Sequence, residues 1–190
     1  MNGIFVTFCK HCISPLGACV AVVIGSTVTQ TPKQINAYVA KATQRIGDKV
    51  SVEQVTPAEA NAFLKETFLG RSNDVVLEMD EGRALVRLET GPEHMRPGGF
   101  ISGPTQMAIA DNAAYLAVFT KLGITPMAVT SNLTMNFLRP CIGDGVEAEA
   151  TVMKMGRSLA VIDVDIRVAG TDKTCSHAVV TYSLPKEDAD

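Results

Sequence analysis

The chain has 190 residues, 46% of them hydrophobic and 19% charged, with a formal net charge of −3. That length suits one core with some chain to spare, and the apolar content is enough to fill it, which excludes disorder over most of the sequence. A mild negative charge without any Lys/Arg run offers no footprint for nucleic acid or an anionic membrane surface, so a small molecule is the expected partner.

Residues 1–30 differ in character from the rest. They are apolar and cysteine-rich, without helical or alternating period, and hold Cys9, Cys12 and Cys19 of the five cysteines; the others are Cys141 and Cys175. An odd count without a spacing framework reads as reduced thiols of a cytoplasmic protein. Cys9-Lys10-His11-Cys12 has the spacing of half a zinc site whose second half is missing, so no metal is expected. The run Ile13 to Ile24 falls short of the about 20 apolar residues that cross a bilayer. A signal peptide, a lipoprotein signal ending before Cys19, and upstream sequence from a misassigned start remain as readings. The third is favoured, because Lys10 and His11 interrupt the apolar stretch and its strongest part follows Cys19.

Residues 31–70 form a helical segment. Thr31-Pro32 opens one helix over Lys33 to Ile46, stopped by Gly47. Thr56-Pro57-Ala58-Glu59 combines a capping box with proline at the first helical position, and Phe63, Leu64 and Phe68 give the second helix an apolar face up to Gly70.

Residues 71–185 turn to β. Val75, Leu77 and Met79 alternate with Val76, Glu78 and Asp80; Glu81-Gly82 turns the chain; Ala84 to Thr90 alternates again, which predicts a hairpin. Gly91-Pro92 and Pro97-Gly98-Gly99 bracket a short loop. A long helix then runs from about Gly103 to Lys121, capped by Ser102 or Gly103 and apolar nearly all round, hence buried on most sides. Four strands follow. Leu133, Met135 and Phe137 alternate with Thr130, Asn132, Thr134 and Asn136. Val146 to Val152, Ala160 to Val168 and Ala178 to Tyr182 repeat the pattern, with turns at Pro140 to Gly145, Gly156-Arg157-Ser158 and Gly170 to Lys173. The expected class is α+β, an antiparallel sheet curling around one helix.

One residue stands out on the long helix. Asp111 is a lone carboxylate among apolar neighbours, desolvated unless it meets a cleft, and desolvation raises basicity. The alternative is a carboxylate that merely hydrogen-bonds a neighbouring strand.

Ser102-Gly103-Pro104, Ala110-Asp111-Asn112-Ala113, Asn136-Phe137-Leu138-Arg139-Pro140, Gly143-Asp144, Gly156-Arg157-Ser158-Leu159-Ala160 and Thr181-Tyr182 resemble, in order and spacing, the PaaI-like hotdog-fold acyl-CoA thioesterases. The resemblance covers about residues 73–185. It implies a hotdog fold, a long helix wrapped by a curved antiparallel sheet. It further implies hydrolysis of an acyl-CoA thioester, with no cofactor, at sites between the subunits of a homodimer or homotetramer. Asp111 falls on the family's acid, which acts as general base or nucleophile. Before the helix such relatives read Asn-x-x-Gly-x-x-His-Gly-Gly, and here Arg96 stands for the asparagine, Gly99 for the first glycine, Ser102 for the histidine, Gly103 for the next glycine and Pro104 for the last.

The oxyanion role falls to backbone N–H groups at the helix start, where unpaired donors and the positive dipole end lie. Gly103 is the candidate; Pro104 has no N–H to give, which leaves Thr105 or nothing for the second donor. Ser102 either caps the helix or touches substrate. Thr130 either serves the acyl pocket or points outward. Arg96, Gly99, Asn112, Arg139, Arg157 and Ser158 complete the substrate-binding set. Arg96 suits a substrate carboxylate or a CoA phosphate, Arg139 and Gly156-Arg157-Ser158 resemble positions that contact the nucleotide or pantetheine arm of CoA, and the alternative for each arginine is simple solvation. His94 is a substitute base or an exposed loop histidine. Phe100, Met107, Tyr115 and Phe137 line an acyl pocket or are core. A non-catalytic acyl-CoA-binding hotdog protein is the alternative. A hotdog dehydratase or hydratase ranks last, for want of a histidine near Asp111 in sequence.

Overall fold

A computed structural model of the chain describes residues 54–68 and 73–185. All lie in one compact unit, Ala42–Asp190. The 1–30 extension, its cysteines and the helix expected over Lys33 to Ile46 lie outside the described residues.

Helix α1 is Pro57–Thr67, and its start is the one the sequence spells out. Thr56 Oγ1 accepts from Glu59 N–H while the Glu59 carboxylate accepts from Thr56 N–H, closing the capping box. The last helical residue is Thr67, three before the expected Gly70, and the N–H of the C-cap Phe68 still reaches Leu64 O. Ala60, Phe63 and Leu64 are its buried face.

Strands β1 (Asp74–Asp80) and β2 (Arg83–Glu89) form the expected hairpin around Glu81-Gly82. Gly82 has φ +80°, a left-handed conformation that a side chain would strain. The inner face of β1 differs from the alternation expected. Val76 and Met79 are buried, whereas Val75 and Leu77 are exposed. A bulge between Val76 and Glu78 adds one residue and swaps the faces on its two sides.

Beyond a 3₁₀ turn at Pro92–His94, the two-residue strands β3 (Met95–Arg96) and β4 (Phe100–Ile101) pair around Pro97-Gly98-Gly99. Helix α2, Gly103–Leu122, follows and ends at Gly123 (φ +74°). Its alanines 110, 113, 114 and 117 are wholly buried, as are Leu116, Val118 and Phe119. Small side chains let the sheet backbone approach closely, which is how a 20-residue helix fits inside a curved sheet. Thr120 pins the hairpin from within: its Oγ1 donates to Ala117 O and accepts from Gly82 N–H.

Strands β5 (Val129–Phe137), β6 (Gly145–Met155), β7 (Leu159–Val168) and β8 (Thr174–Ser183) complete a six-stranded antiparallel sheet of order β1-β2-β6-β7-β8-β5. Ala148, Ala150, Ala160, Ile162, Val164, Ile166, Ala178 and Val180 face the helix and are wholly buried. The two sheet edges are treated differently. At β1, the Asn61 side chain of α1 accepts from Val76 N–H and donates to Val76 O, acting as a strand-like cover. At β5, Val129 and Phe137 are each 54% exposed, and no described residue covers the edge. A long open edge invites pairing with another chain.

Candidate active site

The site residues read from sequence fall at two ends of the molecule. At one end, the Asp111 Oδ1 accepts from Thr130 Oγ1 at 2.7 Å and from Tyr182 O–H at 2.8 Å. Tyr182 also reaches Asp111 O at 3.0 Å. Thr130 therefore points inward. A bulge between Thr130 and Asn132 takes it out of the polar row and onto the face of Leu133 and Met135. Asp111 Oδ2 takes no hydrogen bond among the described residues. One carboxylate oxygen is thus held by two hydroxyls while the other stays open to a water or a substrate.

Tyr182 was not among the site residues predicted; within an apolar strand its ring reads as core. Burial first, and then the Asp111 carboxylate beside it, push its phenol well above the usual tyrosine range. It stays a neutral donor at any pH where the protein works. Its ring stacks on Tyr115 at 5.7 Å, and the Tyr115 hydroxyl donates to Pro126 O. Replacing Tyr182 by phenylalanine is expected to lower turnover about tenfold with a stability cost of about 1 kcal/mol, read by steady-state kinetics beside a thermal melt.

Asn112 does not face this opening. Its Nδ2 donates to Asp74 Oδ2, tying α2 to the start of β1. Arg157 and Ser158, both exposed, sit at the β6–β7 turn, which lies at the Asp111 end because Leu159 pairs with Ser183 and Thr130 with Tyr182. Ser158 O accepts from Leu184 N–H.

The other end holds the start of α2. Ser102 is its N-cap: its Oγ accepts from Thr105 N–H at 3.3 Å and bonds Thr105 Oγ1 at 2.8 Å, and Thr105 Oγ1 donates to His94 O. Ser102→Ala should cost about 1 kcal/mol of stability, measurable as a lower melting temperature. The Thr105 N–H is thereby used and Gln106 N–H bonds Ser102 O, so with Pro104 lacking a donor the Gly103 N–H is the free one of that turn. His94 is held in place, its Nδ1 accepting from Gly91 N–H at 2.8 Å. Below the cap, Gln106 donates to Ile101 O and accepts from Ser176 Oγ, a buried pair that fixes the first turn against β8.

Gly103 opens onto a groove of about 650 Å³, walled by Arg96, Phe100, Phe137, Arg139 and Cys141. A Cβ on Gly103 would press on the Phe137 ring at 3.2 Å. Phe100 and Phe137 thus belong to a groove rather than the core, and Tyr115 belongs to the core. Met107, 41% exposed, belongs to neither. The Arg96 guanidinium lies 5.3 Å over the Phe100 ring. Gly99 stands at φ +74° with open space around it, so it shapes the turn rather than lining the groove. Burial, and then Cys175, push the Cys141 thiol up to about 12, which keeps it an inert part of the wall.

Eight residues of helix, about 12 Å, separate Gly103 from Asp111. Along β5, Val129–Phe137, the ends lie about 26 Å apart. No group of three metal-ligating side chains occurs among the described residues, and none of their helices is long and apolar enough to cross a membrane.

With a carboxylate on the central helix and a free N–H donor at its start, the family comparison decides the chemistry. The thioesterase superfamily matches over residues 98–175. A crystal structure of a provisionally named thioesterase from Silicibacter sp. TM1040 is 32% identical, with a TM-score of 0.64, over 70% of this chain and 95% of that one. The chain belongs to the thioesterase superfamily. It is an enzyme of thioester hydrolysis with the hotdog architecture the motifs pointed to. A Thermoplasma acidophilum protein, provisionally named an esterase, is 31% identical over 123 residues, 64% of this chain and 91% of its own. Human acyl-coenzyme A thioesterase 13 is 25% identical over 136 residues, 70% of this chain and 94% of its own.

Proposed function

We propose that the protein hydrolyses acyl-CoA thioesters at sites shared between two copies of the chain, with Asp111 as general base. The observation that carries this reading is the Asp111 carboxylate, with Oδ1 fixed by Thr130 and Tyr182 and Oδ2 open. Oδ2 takes a proton from water, and the water oxygen attacks the thioester carbonyl carbon. The oxyanion formed there is met by the Gly103 N–H at the positive end of α2. Collapse breaks the C–S bond, the proton passes to the departing thiolate, and a carboxylate and a free thiol remain.

One copy cannot do this, because its own donor and base lie at opposite ends. The open β5 edge supplies the remedy. If β5 pairs antiparallel with β5 of a second copy, the Phe137 end of one strand meets the Val129 end of the other. That pairing sets the Gly103 groove of each copy against the Asp111 cluster of its partner. It also covers the exposed apolar side chains at both strand ends.

The test is thiol release from a panel of aryl- and fatty-acyl-CoAs, followed by complementation. Asp111→Asn and Gly103→Val are each expected to be inactive alone. Unfolded together and refolded as mixed oligomers, they should regain up to about a quarter of wild-type activity, since random pairing restores one intact site in half the dimers. A mixture that stays inactive would exclude the shared site. Thiol release by neither wild type nor mixture would exclude hydrolysis of the compounds tried.

A further inference from the structure

The groove at the start of α2 carries two guanidinium groups and no carboxylate in its wall. Across the described residues, Arg83, Arg87 and Arg167 are each committed to glutamates. Arg96, Arg139 and, at the far β6–β7 turn, Arg157 have no ion pair with an acid among those residues, although the whole chain has 20 acidic against 17 basic side chains; only the first two line this groove. Both are exposed at the surface of the groove. Arg96 rests on Phe100, and the backbone at Arg139 is held by its N–H to Cys175 O, beside Leu138 N–H to the same oxygen. The resemblance to the PaaI-like proteins places a neutral asparagine where Arg96 stands. Two exposed arginines that line one groove, without an acidic partner among the described residues, can together receive an anion.

A thioester substrate can bring an anion from two sources, the phosphates of CoA or a carboxylate on the acyl group. Gly103 decides between them. It lines the same groove as Arg96 and Arg139, and in the proposed mechanism its N–H meets the thioester oxygen. The CoA phosphates lie at the far end of the pantetheine arm from the sulfur, whereas an acyl carboxylate a few carbons from the carbonyl stays within the groove. We infer that the substrate acyl group carries its own carboxylate, gripped by Arg96 and Arg139, so that the enzyme acts on half-thioesters of dicarboxylic acids. This rests on the assignment of Gly103 to the reaction centre.

The test compares glutaryl-CoA with its monomethyl ester, two acyl groups of near-equal length that differ by the charge. Wild type should show a kcat/KM for glutaryl-CoA about tenfold above that for the ester, a margin typical of a charge-assisted hydrogen bond. The preference should shrink as salt rises from about 0.02 M to about 0.5 M, a readout that needs no variant. In Arg96→Gln and Arg139→Gln the ratio should collapse toward one, with Arg96→Lys retaining part of it. The same preference should persist in the pantetheine thioesters, which lack the phosphates. An absent preference in wild type, or a ratio untouched by both glutamine variants, overturns the inference. So does a loss in the variants that is equal for both CoA substrates and vanishes with pantetheine, which assigns the arginines to CoA phosphate. Equilibrium titration of the hydrolysis-deficient Asp111→Asn protein with glutaryl-CoA and its ester reads the same preference without turnover. Failure of hydrolysis and failure of anion recognition are therefore seen separately.

Discussion

Asp111→Asn is expected to lower kcat/KM for thioester hydrolysis by about 10² to 10⁴-fold, the range in which general-base catalysis contributes. Asparagine keeps the shape of the side chain, and its amide oxygen can still accept from Thr130 and Tyr182. What it lacks is a basic oxygen on the open side. The melting temperature should therefore stay close to that of wild type, and the loss should appear in kcat more than in KM. A variant that retains full activity would sink the assignment of Asp111. A single turnover in ¹⁸O-labelled water is informative in one direction: label found in Asp111 would establish attack by the carboxylate, with water opening the mixed anhydride at the Asp111 carboxyl carbon, whereas direct attack by water puts the label in the product alone.

The second large effect falls on stability. Phe119 has no exposed surface, packs edge-on to Phe63 at 5.3 Å and lies 4.5 Å from the Tyr115 ring. Phe119→Ala removes the ring that joins α1 to α2. The expected cost is about 3–5 kcal/mol, through lost apolar burial and the cavity left behind. For a domain of this size that is a fall of about 10 °C in melting temperature. Because Tyr115 stacks on Tyr182, which holds Asp111, the variant should also lose activity below its melting transition. Folded protein with normal turnover would show that the aromatic chain does not support the site.

Much of the fold was legible because the local rules agree with the packing. The Thr56-Pro57-Ala58-Glu59 box starts a helix in isolation for the same reason it does here, and Glu81-Gly82 turns between two alternating runs. Helix α2 is apolar all round and is buried all round, apart from the stripe that carries Met107 and Asp111. Where strand faces were misread, a bulge was responsible. Strand alternation has period two, so one inserted residue inverts every face beyond it, and neither Val76-Leu77-Glu78 nor Thr130-Ser131-Asn132 signals the insertion. The result was one unbroken alternation expected from Val75 to Asp80, and Thr130 left undecided.

The candidate site divides in the same way. Residue type and spacing were enough to place Asp111 on the central helix and Ser102 at its cap, since each depends on its own helix. Asn112 was misread as facing substrate because its partner, Asp74, is 38 residues away. Tyr182 was passed over because a tyrosine in an apolar strand gives no sign that its hydroxyl ends on a carboxylate 71 residues earlier.

The amino-acid sequence by itself determined the elements, their order, and the carboxylate on the central helix, all of which follow from periodicity, caps and turns within a few residues. Only the tertiary structure decided which oxygen of Asp111 is held and which is free. It also showed that the Gly103 N–H is the one left without a partner in the first turn, and that this N–H and the Asp111 carboxylate stand at opposite ends of one copy. Those facts come from contacts between strands distant in the chain, whose register is fixed by packing a whole sheet around a helix rather than by any neighbour along the sequence.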